Sequence, residues 1–109
     1  MAIQHIRQLF IEMKYAGLTD STFEEYRRRV IATLVRGDTI IAAVYDDGAL
    51  WIDAFMTPDR PPAGVARDWL LAVQCLGLPI RALASDLYIR QWLRLTGFGK
   101  NGNVYEWKG

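Results

Sequence analysis

Residues 55–73, FMTPDRPPAGVARDWLLAV, decide how this chain folds. An apolar run ends at Pro58, a loop with Pro61 and Pro62 follows, and helical spacing of apolar residues begins at Val65. A strand, a tight loop and a helix start commonly build a phosphate pocket, because helix N-termini carry unpaired N–H groups and partial positive charge. Pro61 and Pro62 have no N–H to donate. The stretch therefore predicts either a phosphate-binding loop or a rigid loop that enters a helix through proline.

The segment before this loop has the pattern of a β-hairpin. Two runs of apolar, β-branched and aromatic residues flank Asp47-Gly48, which is a strong short-range hairpin signal. The pattern predicts strands near 39–46 and 50–57.

The segment after the loop alternates helix and strand. Helical spacing continues to Val73 and closes at Gly77, and a short strand lies within LPIRALAS, residues 78–85. Ser85 or Asp86 is predicted to cap a helix, DLYIRQWLRLTG, and NVYEW is predicted as a last strand. The residues of that helix expected to face inward are Ile89, Trp92 and Leu93.

The first third of the chain is predicted to form two helices. The first has its apolar stripe at Ile3, Ile6, Phe10 and Met13 and stops at Gly17. The second opens with a capping box of Ser21 and Glu24 and runs to Gly37. Its apolar stripe comprises Phe23, Tyr26, Val30 and Leu34.

This order of elements predicts an α/β fold, a mixed β-sheet flanked by helices on both faces, formed as one domain over residues 1–109. The chain is 51% hydrophobic with a net charge of +1, so no global field favours nucleic acid or an anionic membrane. With a single cysteine, Cys75, and no apolar run of membrane-spanning length, a cytoplasmic location is expected. The one histidine, His5, has no second His or Cys beside it, and no metal site is predicted.

Two motifs in this chain resemble those of the GNAT acetyltransferase superfamily. Together with the order of the elements, the resemblance covers residues 1–109. The family has a strand ending in proline, then Gln/Arg-x-x-Gly-x-Gly/Ala; here Gly64 and Ala66 match, and Pro61 replaces the Gln/Arg. The family also has a helix of the type Asn-x-x-Ala-x-x-x-Tyr-x-x-x-Gly-Phe. The corresponding positions in this chain are Asp86, Ile89, Leu93, Gly97 and Phe98, of which Gly97 and Phe98 are the same residues as in the family motif.

The resemblance implies that acetyl-CoA is the cofactor if the protein is active. The residues that the resemblance places on the coenzyme are Phe55, Met56, Thr57, Arg60, Gly64, Val65 and Ala66. Each N–H lost to proline removes a bond to a charged group worth about 1.5–3 kcal/mol. The chain is also short for the family, which implies that the first strand and one central antiparallel strand are missing. Short phage internal virion proteins with a GNAT-like domain end in a similar helix, Gly turn and strand.

The catalytic residues implied by the resemblance are few. The tyrosine that usually protonates the leaving thiolate is Leu93 here, which has no proton to donate. Asp53 interrupts the apolar strand LWIDAF, so it is the candidate catalytic base, or it accepts hydrogen bonds near the sheet surface. Arg27-Arg28-Arg29 is interpreted as a solvated helix face, and Cys75 as a small packed hydrophobe.

Three functions follow as hypotheses. The first is a degenerate GNAT-like domain acting through protein contacts or self-association, as a phage virion or assembly component, with Trp107 as an exposed anchor. The second is an acetyl-CoA-dependent N-acetyltransferase that uses Asp53 as its base. The third is a protein that holds a different small ligand in the gap between its two parallel strands, beside Trp51 and Phe55.

Overall fold

The computed structural model of the protein describes residues 2–83 and 87–108. Helix α1 spans Ala2–Tyr15, as its apolar spacing predicts. It ends in the predicted glycine turn, where Gly17 has φ +74° and the N–H of Leu18 donates to the Met13 carbonyl at 2.9 Å. The predicted cap at Ser85 or Asp86 lies outside the described residues.

Helix α2, Phe23–Arg29, begins with a capping box, but one residue later than predicted. The Thr22 hydroxyl accepts from the Glu25 N–H at 3.2 Å, and the Glu25 carboxylate accepts from the Thr22 N–H at 2.9 Å. Ser21 and Glu24 have the same three-residue spacing, so the sequence alone does not separate the two registers.

The second helix is much shorter than predicted, because residues 30–36 form a strand. Strand β1, Val30–Arg36, pairs antiparallel with β2, Thr39–Asp46, around a turn in which Gly37 has φ +56°. Val30 and Leu34 fit a helical stripe, but they equally fit the alternation of a strand. The β-branched residues of the segment and the ladder to β2 decide for the strand.

The predicted hairpin at Asp47-Gly48 is confirmed. Strand β3, Ala49–Phe55, pairs with β2 in continuous register, and Asp47 and Gly48 have φ +49° and +81°, as a type I′ turn requires. The strand starts one residue earlier and ends two residues earlier than predicted.

The second half of the chain completes a six-stranded mixed sheet. It contains α3 (Ala63–Gln74), β4 (Ile80–Leu83), α4 (Leu87–Leu95), β5 (Gly99–Asn101) and β6 (Val104–Trp107). The strand order is β1-β2-β3-β4-β6-β5, with β3 and β4 parallel and every other pair antiparallel. Strand β5 has no signal in the sequence, because its three residues, GKN, are all exposed and include no apolar residue.

Two apolar clusters lie on opposite faces of the sheet, which accounts for the helices on both sides. Alternate residues of β2 enter each one: Ile40 packs with α1 and α2, and Ile41 packs with α3 and α4. Trp92 is fully buried as predicted, and Trp51 and Trp69 are half-buried. Trp107, expected at the surface, is also half-buried and packs on the α3/α4 cluster. Within the described residues, no helix has the length and apolar character needed to cross a bilayer.

Candidate functional site

Within residues 2–83 and 87–108, the parallel pairing of β3 with β4 covers the first half of β3. Three residue pairs join the two strands there, from Leu50–Ile80 to Ile52–Ala82. Residues 53–55 therefore have no ladder partner on the β4 side among the described residues. In sheets with parallel strands, ligands bind beyond the carboxyl ends of the strands, which is where this gap lies.

A cavity of about 610 Å³ occupies this position. Successive residues of β3, which lie on alternate faces of the sheet, line the cavity. The cavity therefore extends from the α1/α2 side of the sheet to the α4 side. Its volume is within the range of ligand pockets, about 300–1,000 Å³. The residues lining it are Glu12, Met13, Ala16, Leu18, Thr19, Tyr26, Arg29, Val44, Asp46, residues 51–56, Leu83 and Ile89.

A hydrogen-bonded pair of Tyr26 and Asp53 lies in the wall of the cavity. The Tyr26 hydroxyl donates to Asp53 Oδ2 at 2.7 Å. Tyr26 is buried, and its ring lies 5.5 Å from that of Phe10 on α1. Asp53 is half-buried, which raises the pKa of its carboxyl, while the bond from Tyr26 partly offsets that rise. Burial and the adjacent carboxylate raise the pKa of Tyr26, so the tyrosine is the donor of the pair.

The charged side chains in the cavity wall are mostly acidic. Among the described residues, the charged ones that line it are three acids, Glu12, Asp46 and Asp53, and one cation, Arg29. Arg29 is half-buried and makes no ion pair within residues 2–83 and 87–108. The arrangement suits a ligand that has an apolar part and a positively charged or hydrogen-bond-donating group directed at Asp53.

The predicted coenzyme residues are divided between the cavity and the loop outside it. Phe55 and Met56 line the cavity. Thr57 is tied to the start of β2, since its N–H donates to the Thr39 hydroxyl at 2.9 Å. The guanidinium of Arg60 lies over the Tyr88 ring at 5.3 Å, which links the loop to α4. The remaining three, Gly64, Val65 and Ala66, are in the first turn of α3 and are not among the residues lining the cavity.

Only some of the N–H groups in the first turn of α3 are free for an anion. Pro62 is the N-cap, and its carbonyl accepts from the N–H groups of both Val65 and Ala66, at 2.9 and 3.1 Å. Ala63 and Gly64 retain N–H groups without a partner among the described residues. Gly64 is exposed, and a Cβ built on it meets nothing within 4 Å, so its backbone is accessible.

Other candidates from the sequence are not in the cavity. Leu93, at the position of the family's tyrosine, is fully buried in the α3/α4 cluster. Cys75 is exposed, contrary to the expectation that it packs, because it is the C-cap of α3 and lies past the last buried turn. Across the described parts of the chain, no three His, Cys, Asp or Glu side chains cluster as metal ligands would.

Two residues of the cavity wall were missed as functional candidates. Tyr26 was assigned to the apolar stripe of a helix, and Arg29 to a solvated face. The sequence has no local signal for either residue, because the end of α2 at Arg29, which brings its last turn against the sheet, depends on the pairing of β1 with β2.

Comparison of the chain with protein-family models, with curated proteins and with solved structures finds no match.

Proposed function

We propose that this chain is a degenerate GNAT-like domain that acts through protein contacts and not by acetyl transfer. The observation that carries the proposal is the start of α3. The carbonyl of Pro62 takes up two of the three N–H groups that the resemblance assigns to the pyrophosphate, and Pro61 and Pro62 have none. Of these three residues Gly64 alone keeps an N–H without a partner among the described residues, so coenzyme A would make fewer hydrogen bonds there.

The order of the elements supports the GNAT-like part of the proposal. A hairpin leads into β3, and α3 connects β3 to a parallel β4 with a gap at their carboxyl ends. The sheet has one more strand in this part than the sequence predicted, because residues 30–36 are β1 and three antiparallel strands precede α3.

The position of Leu93 supports the non-catalytic part. A leucine has no proton to give a leaving thiolate, and this one is enclosed by the core between α3, α4 and the sheet. The proposed setting is a phage virion or its assembly in the host cytoplasm, where such a domain works by contact with other proteins.

An acetyl-CoA-dependent N-acetyltransferase is the second candidate, and the Asp53–Tyr26 pair favours it. A carboxyl whose pKa is raised by burial, in the wall of a cavity, is suited to take a proton from an amine, directly or through one water. The third candidate function is that the same cavity binds a small ligand other than coenzyme A.

Turnover separates the first two candidates. The protein is incubated with acetyl-CoA and a panel of primary amines and N-terminal peptides, and coenzyme A is quantified by chromatography. A thiol reagent is unsuitable, because Cys75 is exposed. The proposal predicts that the wild type releases no more coenzyme A than Asp53→Asn does. This variant keeps an oxygen that accepts from Tyr26 but has no carboxylate to act as a base. Release that depends on both the amine and Asp53 would establish the enzyme and refute the proposal.

A further inference from the structure

The outer side of α1 has an apolar surface that the fold leaves uncovered. At 100° per residue one side of the helix presents Ile3, Ile11 and Tyr15 together with three polar residues, Gln4, Arg7 and Lys14. We call this surface, Ile3, Gln4, Arg7, Ile11, Lys14 and Tyr15, the α1 stripe. Ile3, Ile11 and Tyr15 are 44, 51 and 93% exposed. The opposite side of α1 is packed on the sheet, so these exposed residues have no role in the core.

A shallow groove, largely open to solvent, lies beside the C-terminal half of this stripe. It has a volume of about 280 Å³ and is lined by Phe10, Ile11, Lys14 and Tyr15. Phe10–Lys14 and Ile11–Tyr15 are two i, i+4 rows, and the groove lies between them. Helices pack by placing a side-chain ridge of one into such a groove of the other. The shape of the surface therefore fits another helix.

The charges on the stripe are both positive. The Arg7 guanidinium lies over the Phe23 ring at 4.3 Å, and the Lys14 ammonium lies 5.5 Å from the Phe10 ring centre. Lys14 lines the groove and also donates to the Ser21 carbonyl at 3.4 Å, whereas Arg7 lies farther along the same side of α1. Neither cation has a carboxylate partner among the described residues.

We infer that the α1 stripe docks an acidic amphipathic helix of another protein, with apolar side chains in the groove and carboxylates on Arg7 and Lys14. A second copy of this chain fits poorly, because symmetric packing of two stripes sets positive charges against positive charges. A bilayer also fits poorly, since the cations lie within the apolar stripe and not on a separate polar face. The inference deepens the proposed function by giving its contact surface and partner chemistry.

The test uses two fluorescein-labelled helical peptides of about 20 residues. Both have the same leucine stripe, flanked by glutamates in one and by lysines in the other. Fluorescence anisotropy is expected to give at least about tenfold tighter binding for the glutamate peptide, with the difference shrinking as salt is raised. Ile11→Glu is expected to weaken that binding about tenfold or more. Leu95→Glu, at a position on α4 that is 70% exposed, is the charge-matched control and should leave it unchanged.

Several outcomes overturn the inference. The first is that the two peptides bind equally well. The second is that neither peptide binds while the thermal unfolding curve shows a folded protein. The third is that Ile11→Glu and Leu95→Glu weaken binding of the glutamate peptide equally. Dimers dissociated by Ile11→Glu would assign the stripe to a second copy, and Ile11-dependent binding to phosphatidylserine vesicles without peptide binding would assign it to a membrane. The turnover assay remains independent of these results. Acetyl transfer by a protein that also binds the acidic helix would refute the proposed function and leave this inference standing.

Discussion

The Tyr26–Asp53 hydrogen bond makes a prediction that can be worked through from the structure. In Tyr26→Phe the ring that packs beside Phe10 remains, and only the hydroxyl that donates to Asp53 Oδ2 at 2.7 Å is lost. A hydrogen bond to an ionised group contributes about 1.5–3 kcal/mol. For a domain of this size that corresponds to a melting temperature lower by about 8–15 °C.

The loss must also depend on pH. The bond from Tyr26 lowers the pKa of Asp53, so removing it raises that pKa further. The variant is therefore penalised most above the pKa of Asp53, where the carboxylate is charged. Below it, where the carboxyl is protonated, only a neutral hydrogen bond of about 0.5–1.5 kcal/mol is lost.

Urea unfolding of the wild type and the variant, at neutral pH and near pH 4, measures both effects. Tyr45→Phe is the matched control, because Tyr45 is 43% exposed. A Tyr26→Phe loss no larger than that of the control, or one that grows as the pH falls, would refute the reasoning.

Three further substitutions test the site and the fold. Burial raises the pKa of Asp53 above its ordinary 3.8, so the wild-type free energy of unfolding falls as the pH rises from 3.8 through the raised pKa. Asp53→Asn should lack that fall. Urea unfolding of this variant with the same pH profile as the wild type would contradict this. Leu93→Tyr should lower the free energy of unfolding by about 1–3 kcal/mol through overpacking, without creating acetyl transfer in the turnover assay; a stable, active variant would contradict the buried placement. Gly37→Ala should lower the melting temperature more than Gly102→Ala. Both glycines have positive φ, but a Cβ at Gly37 would lie 2.5 Å from Asp59 Oδ2, whereas a Cβ at Gly102 would meet open space. Equal losses in melting temperature would contradict this and mean that the Asp59 side chain moves aside.

The elements with local signals were predictable from the sequence. The Asp47-Gly48 turn and the helices α1, α3 and α4 depend on neighbours within a few residues, and the structure confirms these elements. Ile3 and Val65, at the starts of the predicted stripes of α1 and α3, are exposed. The boundary between α2 and β1 was not predictable in this way. Val30 and Leu34 satisfy both periods, and the choice depends on pairing with β2, which is a tertiary interaction.

The candidate site was predictable only in part. Asp53 stood out as a charge within an apolar strand, and Phe55 and Met56 followed from the strand end. The partner of Asp53 did not follow, because Tyr26 lies 27 residues away and reaches Asp53 only through the packing of α2 on the sheet. Arg29 joins the cavity for the same reason.

The most direct test of the central claim is isothermal titration of the folded protein with acetyl-CoA, up to millimolar ligand at low salt. The account predicts no detectable heat, because the first turn of α3 has Pro61 and Pro62 before it and the N–H groups of Val65 and Ala66 already bond to the Pro62 carbonyl. Micromolar binding would contradict the account. It would show that this loop still holds the coenzyme and would give acetyl transfer, with Asp53 as the base, the leading place.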